Sequence, residues 1–268
     1  MSAVSPKVSG SAAVQGDLWG ARARDWADTQ EGFSRQLFEA GLQKLAVGAG
    51  SLLLDVGCGT GLACAMAVER GAKVSGIDAS APSVEIARQR TPNGDFRVGE
   101  MEDLPYADHT FDAVTGFNSF QYATSPVNAL REAHRVVKPG GKVLIAVWGK
   151  AEHCEGVAVL KALGSLLPPP PPGAPGPFAL SEDGALEALV SEAGLTPLES
   201  DDAPSIWTFA NLDEALRASL SAGPATRAIR HSGEERVREA VTQALAPFKT
   251  ASGGYRLENE FRYLIAKA

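Results

Sequence analysis

The residues best equipped for chemistry lie in one short stretch, Leu52 to Gly61, which reads LLLDVGCGTG. Three aliphatic residues lead into Asp55, and Gly57, Gly59 and Gly61 then alternate with Cys58 and Thr60. An aliphatic run ending in an acid and a glycine-rich turn predicts a buried parallel strand feeding a loop. The next segment, Leu62 to Arg70, has the composition of a helix. Strand, glycine loop and helix together make a nucleotide-type site, because glycine lets backbone approach a ligand and helix-start amides can bond its polar groups. A second apolar run, Ala72 to Ile77, ends in Asp78. An acid about 20 residues past such glycines suits two hydrogen bonds to a ribose diol. The plainer role, a cap for a helix from Ser80 onward, is set against that spacing. The glycines run GxGxG, with Leu62 where the third glycine of a dinucleotide fingerprint would stand, which argues against the pyrophosphate of NAD or FAD.

The elements that must position these residues follow in order. Phe33, Leu37, Phe38, Leu42 and Leu45 recur at helical spacing. Ala81 to Arg90 reads as a helix with Pro82 in its first turn. Asp95 to Val98 and Phe111 to Gly116 read as the third and fourth strands, Val127 to Val137 as a helix, and Lys142 to Val147 as the fifth strand after a Lys-Pro-Gly-Gly turn. Alternating β and α units predict an α/β fold: a Rossmann-like, doubly wound, mostly parallel sheet. Ligands bind such sheets beyond the carboxyl ends of the strands, so Phe117, Asn118, Phe120, Gln121 and Tyr122 should line the junction between two bound molecules. Trp148 and His153 follow the fifth strand on the same side.

The rest of the chain is less patterned. Residues 1–16 are small and polar and read as disordered. Residues 168–177, PPPPPGAPGP, cannot be helix or central strand and read as a stiff crossover. Residues 211–222 and 233–247 look like helices interrupted by GPATRAIRHSG, and Tyr255 to Ala266 like a closing strand.

Three segments resemble one family. LLLDVGCGTG is similar to motif I of the class I S-adenosylmethionine-dependent methyltransferases. GEMEDLPYADHTFDAV is similar to the family's segment from the third strand to the fourth, and RVVKPGGKVLIA to the segment entering the fifth. The group related to the ubiquinone and menaquinone biosynthetic C-methyltransferases matches best. The resemblance implies a single domain over residues 17–268: lid helices over 17–48, a cofactor core over 50–150, substrate-cap insertions over 151–250, and a terminal antiparallel strand over 254–268 that completes the sheet beneath a helical cap. It implies S-adenosyl-L-methionine as cofactor and S-adenosyl-L-homocysteine as product. Asp55, Gly57, Cys58, Gly59 and Gly61 would form the loop, Asp78 would hold the ribose, Glu100 and Met101 would read the adenine edge, and Ala79 and Glu102 would be further cofactor-binding residues. Phe117 and Asn118 would touch the cofactor, and Trp26 would close over its sulfonium, where an indole face attracts a cation. Trp19, Phe120, Gln121, Tyr122 and Trp148 would line the acceptor pocket.

The reaction implied is an in-line methyl transfer to an oxygen, nitrogen or carbon of a small molecule, driven mainly by positioning. A base is needed only if the nucleophile keeps its proton. His153 is the best-placed histidine and Tyr122 the second candidate. His109 falls in a turn, His134 in a helix and His231 in the cap. Two other readings stay open: a cofactor-binding regulatory or partner module that methylates nothing, and an NAD(P) oxidoreductase on a similar sheet. The net charge of -7 speaks against a nucleic-acid substrate. Three cysteines give neither a disulfide framework nor metal-ligand spacing, which fits a reducing cytoplasm. No apolar run reaches the length of a membrane span. A small-molecule acceptor is the expected partner, and a homodimer is compatible with the sequence.

Overall fold

The computed structural model describes residues 10–169 and 176–268. At its centre is a seven-stranded sheet in the order β3-β2-β1-β4-β5-β7-β6. The strands are β1 (Leu52–Val56), β2 (Lys73–Asp78), β3 (Asp95–Val98), β4 (Phe111–Phe117), β5 (Val137–Trp148), β6 (Thr196–Phe209) and β7 (Tyr255–Lys267). Five strands, β1 to β5, pair in parallel, while β7 runs antiparallel between β5 and β6. The sheet is therefore mostly parallel, as the alternating pattern predicts, with one antiparallel C-terminal strand, as the resemblance implies.

Pleating sends alternate residues to two separate cores. Leu53, Leu144 and Ile265 join one apolar cluster; their neighbours Leu54, Ile145 and Leu264 join the other. The first cluster packs under α3 (Arg35–Lys44), α4 (Leu62–Glu69) and α5 (Ala81–Arg90). The second packs under α6 (Pro126–Val136) and α8 (Ala185–Glu192). With both faces covered, the central strands can be almost wholly apolar, which is why they read as aliphatic runs.

Several expectations are corrected. Helix α1 (Ala12–Gly20) begins inside the segment expected to be disordered. Residues 1–9 of that segment, like residues 170–175 of the proline tract, lie outside the described residues. The segment expected to form the lid holds α1 and then α2 (Ala23–Thr29), separated at Arg22, whose φ of -136° leaves the helical region. The Lys-Pro-Gly-Gly turn is absorbed into β5 as an irregularity in its pairing with β4. The segment GPATRAIRHSG is itself a helix, α10 (Gly223–Ser232), entered through a proline in its first turn. It sits between α9 (Leu212–Ser219) and α11 (Glu234–Leu245). With α7 (Val157–Ser165) these helices cover the sheet end above β5, β7 and β6.

Candidate functional site

A cavity of about 190 Å³ opens at the carboxyl ends of the parallel strands. Its wall is assembled from the loops after β1, β2, β3 and β4, from the lid helices α1 and α2, and from the cap.

The loop after β1 folds back on its neighbours. Gly57 and Cys58 N–H both donate to the Ile77 carbonyl, Gly59 N–H to Asp78 Oδ2 (2.9 Å), and Gly61 N–H to the Cys58 carbonyl. Leu62 N–H, at the start of α4, donates to Glu31 Oε1 (3.2 Å). Five amides that a pyrophosphate would require are thus engaged within the protein. Gly57 must be glycine: its φ is +73°, and a Cβ there would lie 2.3 Å from the Ser119 Cβ.

Four acids line the cavity, Glu31, Asp55, Asp78 and Glu100, and no lysine, arginine or histidine among the described residues does so. Asp55 is buried, accepts from Thr115 Oγ1 (2.7 Å), and lies within the influence of Asp78 and Glu31. Burial, reinforced by those two carboxylates, pushes its carboxyl up to about 7 against the opposing Thr115 bond. Asp78 is raised by burial too, while the Ser80 and Gly59 amides pull it back. Glu100 accepts from the Glu102 amide (3.1 Å) and from Ala12 N–H at the start of α1 (2.8 Å). Such an acid–helix contact is favourable at a helix N-terminus. Glu31 is tied to Arg90 (2.6 Å), fastening the lid to α5.

Aromatic rings close the opening. Trp19 and Trp26 meet edge to face at 5.1 Å despite the break between their helices, and Trp19 meets Tyr122 in the same way at 5.6 Å. Asn118, at the end of β4, holds φ of +55°, a left-handed conformation that asparagine tolerates; its N–H donates to the Ala146 carbonyl and its Oδ1 accepts from Gln121 Nε2.

Of the residues expected to bind cofactor, the cavity gathers Trp26, Asp55, Gly57, Cys58, Gly59, Asp78, Ala79, Glu100, Met101, Phe117 and Asn118. Gly61 and Glu102 are not part of its wall. Gly61 serves helix packing, since a Cβ there would meet the Ala87 Cβ of α5 at 2.8 Å. Glu102 turns away and accepts the Ser125 amide (3.1 Å), at the start of α6. Of the expected acceptor residues, Trp19, Tyr122 and Trp148 line the cavity. Phe120 does not: its ring is fully buried in the core on the opposite side of the sheet. Gln121 is held by Asn118 outside the wall. His153 is also outside; its side chain is 56% exposed and pairs with Glu260 (2.7 Å). Tyr122 lines the cavity, but burial pushes its hydroxyl up to about 12, which makes it a poor base near neutral pH.

The sequence did not single out the rest of the wall. Glu31, Gln30 and Ser34 come from the segment after α2. Val159, Leu160 and Leu163 come from α7, Trp207 from β6, Ser219 from α9, and Phe261 from β7. Trp148 packs on Trp207 (5.8 Å) and Phe261 (5.1 Å), making an aromatic floor.

Comparison with known proteins shows what this chain is similar to. Residues 54–145 match the family described as a methyltransferase domain. A demethylmenaquinone methyltransferase of Renibacterium salmoninarum is 40% identical over 103 residues, 38% of this chain and 44% of that protein. A ubiquinone biosynthesis O-methyltransferase of Xanthomonas oryzae is 35% identical over 128 residues, 45% of this chain and 53% of that protein. The chain thus spans about half the length of the curated relatives it matches. A crystal structure of a SAM-dependent methyltransferase from Thermotoga maritima superposes with a TM-score of 0.55 at 17% identity, covering 94% of this chain and 98% of that one, so the fold is shared almost end to end. The similarity to the methyltransferase domain family thus falls on the segment that carries the glycine loop, both strand-end acids and the entry to β5.

Proposed function

We propose that this chain transfers a methyl group from S-adenosylmethionine to an uncharged small-molecule acceptor. The observation that carries the reading is the charge of the cavity. Four acids and, among the described residues, no cation face a space at the strand ends, beside a loop whose amides are already used. A pyrophosphate would be repelled there, whereas a sulfonium and an ammonium would be attracted. The donor set fits S-adenosylmethionine, which supplies, when bound, a methyl on a positively charged sulfur.

In this reading Asp78 accepts from the ribose hydroxyls, with both carboxylate oxygens oriented in advance by the Gly59 and Ser80 amides. Glu100 and Met101 face the adenine. Asp55 and Glu31 would add negative charge to the wall that favours a cationic ligand. Trp19, Trp26 and Tyr122 exclude water and offer aromatic faces to positive charge. The protein then contributes alignment and desolvation, and no histidine or lysine among the described residues lines the wall. The names of the relatives, a demethylmenaquinone and a ubiquinone-pathway methyltransferase, fit an acceptor with an aromatic body. The aromatic floor of Trp148, Trp207 and Phe261 suits the same shape. A cytoplasmic setting accords with three buried free cysteines. No helix among the described residues is long and apolar enough to cross a membrane.

Calorimetric titration with S-adenosylmethionine and, separately, S-adenosylhomocysteine tests the cofactor. Micromolar binding of both is expected, followed by release of S-adenosylhomocysteine in an acceptor screen. A folded sample that binds neither would overturn the reading.

A further inference from the structure

Helix α1 lies against the loops after β2 and β3, and its first turn presses on one acid of the cavity. Ala12 N–H donates to Glu100 Oε2 (2.8 Å), while Glu100 Oε1 takes the Glu102 amide (3.1 Å), so both carboxylate oxygens are engaged. The chain just before the helix runs so close that a Cβ at Gly10 would lie 2.0 Å from Glu100 Oε2. Further along, a Cβ at Gly16 would lie 2.2 Å from the Ala79 carbonyl oxygen, in the loop after β2. Ser11, Ala12 and Gln15 form part of the same cavity wall as Ala79 and Glu100. The space left, about 190 Å³, is below the roughly 300–1,000 Å³ of small-molecule sites. With α1 in this position it is too small for a nucleoside cofactor and an acceptor together.

Little holds α1 down. No residue of α1 is buried and Val14 is 62% exposed, whereas α3 buries Leu37, Phe38, Gly41 and Leu42. The side-chain contacts that hold it include an exposed ion pair, Asp17 with Arg230 of α10, and the rings of Trp26 and Tyr122 around Trp19. Exposed ion pairs contribute little to stability, and segments without buried contacts open at low cost. Helix α2 is fastened separately, through Asp25 (2.6 Å) and Asp28 (2.8 Å) to Arg217 of α9. The backbone leaves the helical region at Arg22, between the two helices. A pivot there frees α1 and leaves α2 in place.

We propose that the first turn of α1 is an autoinhibitory strap. In its docked position it fills the space beside Glu100 Oε2 and competes with the cofactor's adenine for that carboxylate, and the cofactor displaces it by a swing about Arg22. A lid that closes over bound cofactor strengthens binding, whereas a strap opposes it, so the two differ in sign. A strap docked about nine-tenths of the time lowers the apparent cofactor affinity about tenfold. This inference rests on the reading that the cavity takes S-adenosylmethionine with its adenine at Glu100.

The test titrates S-adenosylhomocysteine, which is neutral overall, into the full chain by calorimetry. Asp17→Lys sets two cations against each other where α1 meets α10 and should release the strap. Gly16→Val should release it too, by a clash with the Ala79 carbonyl. Because α1 buries nothing, both variants should melt with the wild type, and both should bind S-adenosylhomocysteine about tenfold more tightly. Adding Arg230→Asp to Asp17→Lys restores an ion pair and should return the affinity to that of the wild type. Adenosine, which lacks the amino-acid end, should show the same gain, because the competition is for the nucleoside. Asp17→Lys decides: the proposal is overturned if it binds either probe no more tightly than the wild type, or if the restored pair keeps the gain. Should Asp17→Lys not fold, Gly16→Val is judged by the same criterion. Binding of S-adenosylhomocysteine without any gain sinks the strap alone, whereas no binding in any folded sample sinks the methyltransferase reading and the strap with it.

Discussion

The two halves of the cavity are built on different principles. The half near the glycine loop draws its residues from the ends of β1, β2, β3 and β4, between Asp55 and Asn118, together with the lid. It is acidic, and its acids are held by backbone amides and hydroxyls before anything binds. The other half draws on residues from Trp148 to Phe261 and is mostly apolar, with aromatic rings packed on one another. One half therefore selects by charge and fixed donors, the other by shape and desolvation. Fixed polar geometry demands particular residues at particular positions, whereas apolar shape can be met by many sequences.

The sharpest way to break that division is Asp78→Ala. It should weaken S-adenosylmethionine by about 1–3 kcal/mol, the cost of losing a charge-assisted site. Affinity for an apolar ring probe should stay unchanged; loss of both in calorimetry would mean that the halves are coupled.

Next in size is the pH dependence of cofactor affinity. Asp55 is raised to about 7 by burial and its acidic neighbours, so the free protein carries a proton there below that value. A cationic ligand favours the carboxylate and expels the proton. Affinity for S-adenosylmethionine should therefore climb as pH rises to about 7 and level off above it. The Asp55→Asn variant should show a flatter profile. On stability the sign reverses: because the folded value exceeds the unfolded one, the Asp55 contribution declines as pH rises through the same window. Titrations and melting curves across that range check both slopes.

A smaller effect is expected from Leu160→Ala on the apolar wall. It should raise KM for the acceptor about tenfold, as removal of methylenes from an apolar pocket does, with S-adenosylhomocysteine affinity unchanged. Smallest of all is His153→Ala. An exposed histidine paired with Glu260 outside the cavity should alter turnover not at all, and stability by no more than about 0.5 kcal/mol. A fall in kcat would return a base to the mechanism.

The same division explains what could be read from the sequence. Strands buried on both faces must be aliphatic, and a turn passing 2.3 Å from Ser119 must be glycine, so the sheet and its first loop announce themselves locally. Asp78 was legible as a residue of the cavity because it stands at a strand tip, where it also takes the Gly59 and Ser80 amides. Gly61 and Glu102 share the motif's neighbourhood but serve helix packing and a helix start, which a linear pattern cannot separate from ligand contact. Phe120 and Gln121 follow the right strand, yet a single tight turn sends the phenylalanine ring through to the other core. His153 follows β5 as expected and then swings to the surface. Trp207, Ser219 and Phe261 come together only through the pairing of β6 with β7 and the packing of the cap, and no local spacing records that.

That pairing has a consequence for how such a protein can change. Phe209, the last residue of β6, lies opposite Tyr255, the first residue of β7. Everything between them, including α9, α10 and α11, leaves and re-enters the sheet at neighbouring points. The intervening segment is in effect a cassette hung from the end of a hairpin. Its length and contents can be exchanged between relatives without shifting the register of any strand, and with it would travel Ser219, Ala222 and Pro224 of the cavity wall. Exchanging that segment at two adjacent joints would change one side of the cavity and leave the glycine loop and the aromatic floor of Trp148, Trp207 and Phe261 untouched.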